Sequence, residues 1–271
     1  MNEVIGFIAG ESVLPRLAVR QARGEGRQTV VAGIRGLTRP EVGRLADRYR
    51  EFSLGQLGGV IRFFKANRVR QAVMVGRVGH PSIFTLLTAD RHFYTLLKRI
   101  KNKTTTALLS VLADFFLQHG IEIIDSSSFL SDYLARERDY TPVVKPDRNI
   151  IADIEFGWEK AWGIAALDIG QTVCVKNRAV VAVEAMEGTD QTIRRAAAMA
   201  GPGLVVVKVS RPGGEMRFDI PVIGLGTIKT MQKARAAALV VEADRTLMLD
   251  AQKLIGLASK SGIAVRARRG Q

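Results

Sequence analysis

Cysteine is almost missing from this chain, with Cys174 as its single representative. One thiol excludes an intrachain disulfide framework and any metal site built on paired cysteines. Histidine is nearly as scarce; the three present are scattered, which argues against a zinc cage. Aromatic residues make up only 6% of the chain. With so few stacking side chains, and no helix-turn-helix, zinc-finger or RNA-binding signature, nothing supports a specific nucleic-acid partner. No apolar run reaches the roughly 18 residues of a membrane-spanning helix. The first residues, Met1–Gly10, lack a basic leader and read as a strand, so no signal peptide is expected. Gly6 and Gly10 are not followed by a third glycine, so the dinucleotide fingerprint is incomplete and a nicotinamide-dependent dehydrogenase is disfavoured. Together these absences suit a reducing, cytoplasmic setting, with Cys174 an inert thiol buried between Val173 and Val175.

Acidic residues are in deficit overall, giving a formal net charge of +14, but the deficit is uneven. Residues 1–103 carry 19 basic and 7 acidic side chains, residues 220–271 carry 9 and 3, and the middle, 104–219, reverses to 12 and 16. The basic ends call for an anionic partner such as a nucleotide, a nucleic acid or an acidic membrane face. The acidic middle is where a cation-using site is expected.

Hydrophobic residues reach 47% over 271 positions, enough for two ordinary domains with cores of their own. In the first half, apolar strands (Val4–Ala9, Thr29–Ala32, Ala72–Val75, Ile121–Ile124) alternate with helical patterns at Pro40–Asp47, Gln56–Ala66 and Thr105–His119. That alternation predicts a doubly wound, mostly parallel sheet. Residues 136–149 are polar, contain Pro142 and Pro146 and lack apolar periodicity, and so read as a linker. The expected organisation is α/β throughout: an N-terminal Rossmann-like domain over 1–135, a linker over 136–149, and a C-terminal α/β domain over 150–271. In the C-terminal part a helix over Ile151–Ala166 precedes a hairpin-like pair, Thr172–Val175 and Ala179–Glu184. Strands at Leu204–Val209, Leu239–Glu242, Arg245–Leu249 and Ile263–Ala267 follow, with helices at Thr227–Ala237 and Asp250–Ser259.

One corner concentrates chemistry. Val180–Arg195 is an apolar strand that turns at Gly188 into a helix that Thr189 or Asp190 can cap. Glu184, Glu187 and Asp190 crowd this corner, at the strand end where open α/β sheets bind ligands. Helix N-termini attract anions, but three carboxylates repel them, so a phosphate ligand there would need a bridging cation such as Mg²⁺. A solvated acidic turn is the alternative. Asp219, between Phe218 and Ile220 and stiffened by Pro221, is a carboxylate among apolar neighbours; it suits a cation ligand or a base for water, unless it is an exposed acid on an edge strand. In the first half, Gly10 and Glu11 end the first strand ahead of a helix, and Gly76-Arg77 end the third, where Arg77 is placed to clamp a phosphate. His80 nearby is a weaker acid–base candidate, without a partner in sequence. The stretch 84–103 mixes Phe84, Leu86 and Leu87 with Lys98, Arg99, Lys101 and Lys103. It reads as a core helix with a basic solvent face, or as a segment lying on a membrane.

Several stretches together carry a family likeness. Leu167-Asp168-Ile169-Gly170-Gln171, Ala182–Asp190, Arg217–Gly224 with Thr227-Ile228, Val241-Glu242-Ala243 and Thr246–Asp250 resemble the UDP-2,3-diacylglucosamine pyrophosphatases of lipid A biosynthesis. The branch meant is the two-domain α/β one, unrelated to the calcineurin-like metallophosphoesterases. Looser matches in the first half are Ile8-Ala9-Gly10 with Leu14-Pro15, Leu54–Gly58, and Val75–Val78. The resemblance implies hydrolysis of UDP-2,3-diacylglucosamine to UMP and 2,3-diacylglucosamine 1-phosphate (lipid X), assisted by Mg²⁺ or Mn²⁺. It implies that Asp219 is the essential catalytic aspartate, with Asp219, Glu187 and Asp190 as metal ligands. Gly10, Glu11, Gly76, Arg77, Gln171, Gly188, Thr189, Arg194, Lys208 and Thr227 are the expected substrate contacts, Lys208 and Arg194 as clamps for developing negative charge. It also implies peripheral association with the inner-membrane surface, because the substrate's acyl chains sit in or near the bilayer. Oligomeric state stays open, a homodimer included. The chain departs from the family where Gly-Asp-Asp usually precedes an Ala-Leu-Leu helix: it has Thr104-Thr105-Thr106 before Ala107-Leu108-Leu109. Glu11-Ser12 likewise stands where members often have another glycine. A homologue that binds a sugar nucleotide or acidic lipid with little hydrolysis is therefore the second reading.

Overall fold

The computed structural model describes residues 3–78, 90, 92, 93, 95, 96, 105–211, 216, 217 and 220–270, with backbone alone for 105–107. The chain divides into two compact units, Met1–Ser131 with Glu215–Phe218, and Asp132–Gly214 with Asp219–Gln271. The basic, apolar stretch over 84–103 falls largely outside the described residues, as do His80 and Thr104.

The first unit runs β1 (Val4–Ala9), α1 (Leu14–Gly24), β2 (Gln28–Ile34), α2 (Pro40–Leu45), β3 (Arg48–Phe52), α3 (Leu57–Ala66), β4 (Gln71–Val75), α4 (Thr105–Gln118) and β5 (Glu122–Ile124). The strands lie in the order β3-β2-β1-β4-β5, and every neighbouring pair is parallel. This is the doubly wound sheet that the alternation of elements predicts. Its central strands are apolar on both faces because helices cover both. Phe64 of α3 and Phe116 of α4 pack with Val30, Ala72 and Ile121 in one core cluster, while Ala18, Val19 and Ala22 of α1 are fully buried. The strand order reverses between β1 and β4, so their carboxyl ends flank the crevice where such sheets take ligands.

β3 carries no apolar run and is not expected from periodicity. Arg48, Arg50 and Glu51 are exposed, which suits an edge strand that must not recruit another chain. Tyr49 holds it to β2. A Cβ on Gly33 would lie 2.5 Å from the Tyr49 hydroxyl oxygen, and one on Gly43 would lie 3.0 Å from its ring. Burial and the hydrogen bond to Glu51 push the Tyr49 phenol up to about 12.

The second unit begins with β6 (Arg138–Asp139), α5 (Arg148–Ala166), β7 (Thr172–Lys176), β8 (Ala179–Val183), α6 (Thr189–Ala200) and β9 (Val205–Lys208). It continues through β10 (Val222–Ile223), α7 (Leu225–Lys233), β11 (Ala238–Glu242), β12 (Leu247–Met248), α8 (Ala251–Lys260) and β13 (Ala264–Arg268). Six strands form one sheet in the order β6-β13-β11-β9-β7-β8, and β10 pairs with β12 in a separate ribbon. The strand expected over 245–249 shrinks to this ribbon. The stretch 136–149, expected as a linker, lies within the second unit. There β6 pairs antiparallel with β13, Tyr140 is buried, and the Asp147 carboxylate caps α5 by accepting from Ile150 N at 2.9 Å.

Side-chain alternation along the buried strands sorts residues between two layers. Val173, Val175, Val205 and Val207 face α5, packing with Ile154, Trp158 and Ala161. Cys174 and Val206 face the other way, into the layer of α6, α7 and α8, with Ile193, Ile228, Met231 and Leu254. Gly157 brings α5 close to the sheet; a Cβ there would lie 2.9 Å from Val207 Cγ2. The hairpin between β7 and β8 turns on Asn177 and Arg178, at φ 52 and 55, the left-handed pair that a two-residue hairpin turn requires. Asp153 of α5, 2% exposed, accepts from the backbone N–H of both residues, at 2.9 Å and 2.5 Å. A buried carboxylate thereby compensates two non-glycine residues for an unfavourable conformation.

Among the described residues, no helix is long and apolar enough to cross a membrane. Asp153→Ala is expected to cost about 3 kcal/mol in urea unfolding, because two charge-assisted hydrogen bonds disappear and the turn N–H groups lose their acceptor. Burial pushes the Cys174 thiol up to about 12. A thiol reagent at pH 8 should therefore leave the native protein unmodified and label it stoichiometrically in denaturant.

Candidate functional site

β8 is antiparallel to β7, and β7 to β9, so β8 runs parallel to β9 and their carboxyl ends share one edge of the sheet. The start of β7 lies on the same edge, with Thr172 opposite Lys208. Lys208 is 5% exposed, and its ammonium has three donors. All three find partners: Thr189 Oγ1 at 2.8 Å, Thr172 Oγ1 at 3.1 Å and Glu184 Oε2 at 3.4 Å. Thr189 in turn donates to Glu184 Oε1 at 3.0 Å. The end of β8, the end of β9, the start of β7 and the first residue of α6 are thus tied through one charge pair whose ammonium is buried. Gly170 completes the corner, since any Cβ there would overlap the Glu184 carbonyl oxygen.

Thr189 does not cap α6, as its spacing from Gly188 suggests. Gly188 occupies the N-cap position at φ 82, no side chain caps the helix, and the Thr189 hydroxyl is already committed to Glu184 and Lys208. α7 also opens on a glycine, Gly224, without a side-chain cap. The two helix starts are neighbours: a Cβ on Gly226 would lie 4.0 Å from Asp190 Oδ2. Their unclaimed N–H groups give this edge positive potential beside its carboxylates. Thr227 lies in the first turn of α7.

The three corner carboxylates separate into different roles. Glu184 is the half-buried partner of buried Lys208. Glu187 pairs with Arg195 Nη2 at 2.5 Å and accepts from Ala185 N at 3.1 Å and Thr192 Oγ1 at 3.3 Å. The Arg195 guanidinium, together with backbone N–H groups, holds the Glu187 carboxyl below the usual carboxylate range. Asp190 has no hydrogen-bond or ion-pair partner among the described residues. As donors for a hard divalent cation, Asp190 is ready, Glu187 must share an oxygen that Arg195 already holds, and Glu184 is committed. No group of three His, Cys, Asp or Glu side chains able to share a metal ion occurs among the described residues. One or two carboxylates suffice for Mg²⁺ when phosphates and water complete its octahedron, and Asp190 fits that mode.

Asp219 lies outside the described residues, but hydrogen bonds hold the chain before and after it. Before it, buried Glu242 at the end of β11 accepts from Ser210 N at 2.7 Å and Ser210 Oγ at 2.6 Å. After it, Leu247 N donates to Pro221 O at 2.8 Å and Leu249 N to Ile223 O at 2.9 Å. Arg211 pairs with Asp168 at 2.6 Å, and the Gln171 carbonyl accepts from Val209 N at 3.0 Å. Thr172, Ser210 and Glu242 are absent from the expected contacts. Thr172 follows expected Gln171 and Ser210 lies two residues past expected Lys208, while Glu242 ends buried β11; a polar residue at or just past the terminus of a buried strand is the signal that finds them.

Arg194 lies apart from the Lys208 network. It lines a pocket between α6 and α7 with Lys229 and Lys233.

In the first unit, Gly10, Glu11, Gly76 and Arg77 meet at the carboxyl ends of β1 and β4. Glu11 N donates to Arg77 O at 2.8 Å and Arg77 N to Glu11 O at 2.7 Å. Two glycines make this possible: a Cβ on Gly10 would lie 2.6 Å from Arg77 O, and one on Gly76, at φ 97, would lie 2.8 Å from Glu11 O. These two N–H groups are taken by each other's carbonyls and are not offered to a phosphate. The start of α1 is also depleted, because Ser12 Oγ takes the Leu14 N–H at 3.2 Å and Pro15 has none. Arg77 is exposed and its guanidinium has no partner among the described residues, so an anion here would meet a side chain rather than a backbone cradle.

Two outcomes test this geometry. Lys208→Met is expected to cost about 3 kcal/mol in denaturant unfolding, since it strands the largely enclosed Glu184 without its charge partner. Adding Glu184→Gln should recover part of that loss. For the Glu187–Arg195 pair, a depressed carboxyl contributes stability above its unfolded pKa of ~4.3 and loses it as pH falls through the folded value. The stability gap between wild type and Arg195→Gln should therefore be open at pH 7 and close in that acidic window.

The chain matches two family descriptions, the LpxI N-terminal domain over residues 4–133 and the LpxI C-terminal domain over residues 140–266. It is 31% identical over 273 residues to the UDP-2,3-diacylglucosamine pyrophosphatase LpxI of Caulobacter vibrioides, covering 96% of each chain. Among solved structures, the biotin carboxylase domain of the Hydrogenobacter thermophilus 2-oxoglutarate carboxylase aligns at TM-score 0.27 and 11% identity, over 72% of this chain and 41% of that one. Biotin carboxylase from Campylobacter jejuni aligns at 0.25 and 10%, over 72% and 42%. Scores this low carry no argument. The family descriptions between them take in both units, and the curated relative spans nearly the whole chain, so this protein belongs to the LpxI family.

Proposed function

We propose that this protein hydrolyses the pyrophosphate of UDP-2,3-diacylglucosamine, adding one water to give UMP and 2,3-diacylglucosamine 1-phosphate. The observation that carries this reading is the end-to-end match to a relative of that name, 96% of each chain. The carboxyl edge of the second unit supports it chemically. Attack on a pyrophosphate needs negative charge neutralised and a water oriented. The open starts of α6 and α7 direct N–H groups at an anion, and Asp190 stands beside them. Lys208 keeps Glu184 and Thr189 in register, so that Gly188 and Asp190 are presented from a rigid corner. Asp219, on the loop anchored through Ser210 and Pro221, takes the role of catalytic carboxylate and accepts the proton of the attacking water. Asp219 and Asp190 would hold a Mg²⁺ or Mn²⁺ ion, with Glu187 joining if Arg195 yields an oxygen. When bound, that ion supplies charge neutralisation at the phosphates. Gln171 and Thr227 border the same edge. At the carboxyl ends of the first unit's sheet, Arg77 offers a guanidinium to a phosphate.

The substrate's acyl chains keep it at a bilayer, so the protein works as a peripheral protein on the cytoplasmic face of the inner membrane. Its net charge of +14 suits an anionic leaflet.

The test is UMP release from UDP-2,3-diacylglucosamine with Mg²⁺, Mn²⁺ or chelator. Wild type should release UMP with metal, Asp219→Ala should lose roughly 10²–10⁴-fold in rate with its fold intact, and Asp190→Asn should raise the metal concentration needed for half-maximal rate. Tight substrate binding without UMP release under any metal would sink the hydrolase reading and leave a binding homologue.

A further inference from the structure

The pocket between α6 and α7 has the chemistry of a second anion site. It has a volume of about 310 Å³ and is lined by Arg194, Ala197, Lys229, Thr230, Lys233 and Ala234, at the small end of the range for ligand sites. Ala197 and Ala234 are small, so the groove between the helices stays open. Three cations surround it and no carboxylate lines it. None of the three has an ion-pair partner among the described residues. Asp190, one helical turn before Arg194, forms no ion pair with it. Lys229 and Lys233 stand four residues apart on α7, a spacing at which like charges disfavour a helix. Several arginines of this unit are paired, among them Arg195 with Glu187, Arg211 with Asp168, Arg266 with Asp139 and Arg268 with Glu155. All three are exposed at the mouth of the groove, and three like charges lining one cavity are an arrangement that an anion would relieve.

The geometry points to a phosphate-binding site between α6 and α7, in which Arg194 grips a phosphate group that Lys229 and Lys233 flank. It is separate from the hydrolytic edge. Arg194 lies five residues beyond the first residue of α6 and Lys229 four beyond that of α7, some 6–8 Å along the axes at about 1.5 Å per residue, and neither joins the Lys208 network. The ligand class is a phosphate monoester or diester, drawn from an anionic phospholipid headgroup or from a free phosphate compound.

The test uses the full chain, the double variant Lys229→Gln/Lys233→Gln, and a control of equal charge change, Lys253→Gln/Lys260→Gln on α8. Inorganic phosphate should shift the amide resonances of Ala197, Thr230 and Ala234 saturably in wild type and control, with at least tenfold weaker binding in the pocket variant. Sedimentation with phosphatidylcholine vesicles, with and without phosphatidylglycerol, identifies the source. A fivefold or greater loss confined to the pocket variant assigns a lipid headgroup; equal small losses in both variants, with the phosphate shifts intact, assign a free phosphate. Absence of saturable shifts together with equal vesicle losses overturns the site. UMP release from detergent-dispersed substrate should be unchanged in the pocket variant; its loss would make the pocket part of the hydrolytic site and overturn its independence. Failure of wild type to release UMP would instead strike the hydrolase reading and leave the phosphate titration interpretable.

Discussion

A single buried ammonium organises the second unit. Lys208 reaches Glu184, Thr172 and Thr189 at once, so that its own strand is joined to two others and a helix. A buried lysine without partners would lose its charge or open the fold. The sheet edge is therefore constrained to the arrangement in which β7 enters, β8 and β9 leave, and α6 departs from Gly188. The carboxylates of the corner acquire their separate characters from that constraint. Glu184 is taken inward by Lys208, Glu187 is turned to Arg195, and Asp190 is left beside the start of α7.

The first unit solves a related problem with backbone. β1 and β4 are adjacent where the winding of the sheet reverses, and the loops leaving them close on each other through paired Glu11 and Arg77 peptides. Two glycines permit the approach. The closure removes the backbone N–H groups that dinucleotide-binding folds direct at phosphates. Arg77 then becomes the anion-seeking group at that crevice. The two units thus present different chemistry at equivalent sheet edges: an arginine over a closed loop pair in one, and carboxylates with open helix starts in the other.

Much of this was legible in the sequence because it rests on local rules. Apolar strands alternating with amphipathic helices predicted the parallel winding of the first unit, and the Thr172–Glu184 hairpin followed from two β-branched runs around Lys176-Asn177-Arg178. The charged strand Arg48–Phe52 escaped because an edge strand, half exposed, needs no apolar run. The stretch 136–149 read as a linker because its polar, proline-containing composition hides a two-residue strand that only β13 completes. The acidic corner was visible as a cluster, yet its internal division of labour was not, since partners such as Arg195 and Lys208 are chosen by strand order rather than by spacing.

The sequence by itself determined the fold class, the buried Cys174, the acidic corner and membership in the family, because periodicity, composition and motif are properties of neighbouring residues. Tertiary structure alone decided that Thr189 serves Lys208 instead of capping its helix, and that Asp153 secures a hairpin turn from the helix packed on the sheet. It also decided that Glu11 and Arg77 spend their N–H groups on each other, and that Arg194 meets Lys229 and Lys233. Each of these is a meeting of residues far apart in the chain. Where such a meeting is buried, its polar groups must find partners, and which partner is within reach is set by topology.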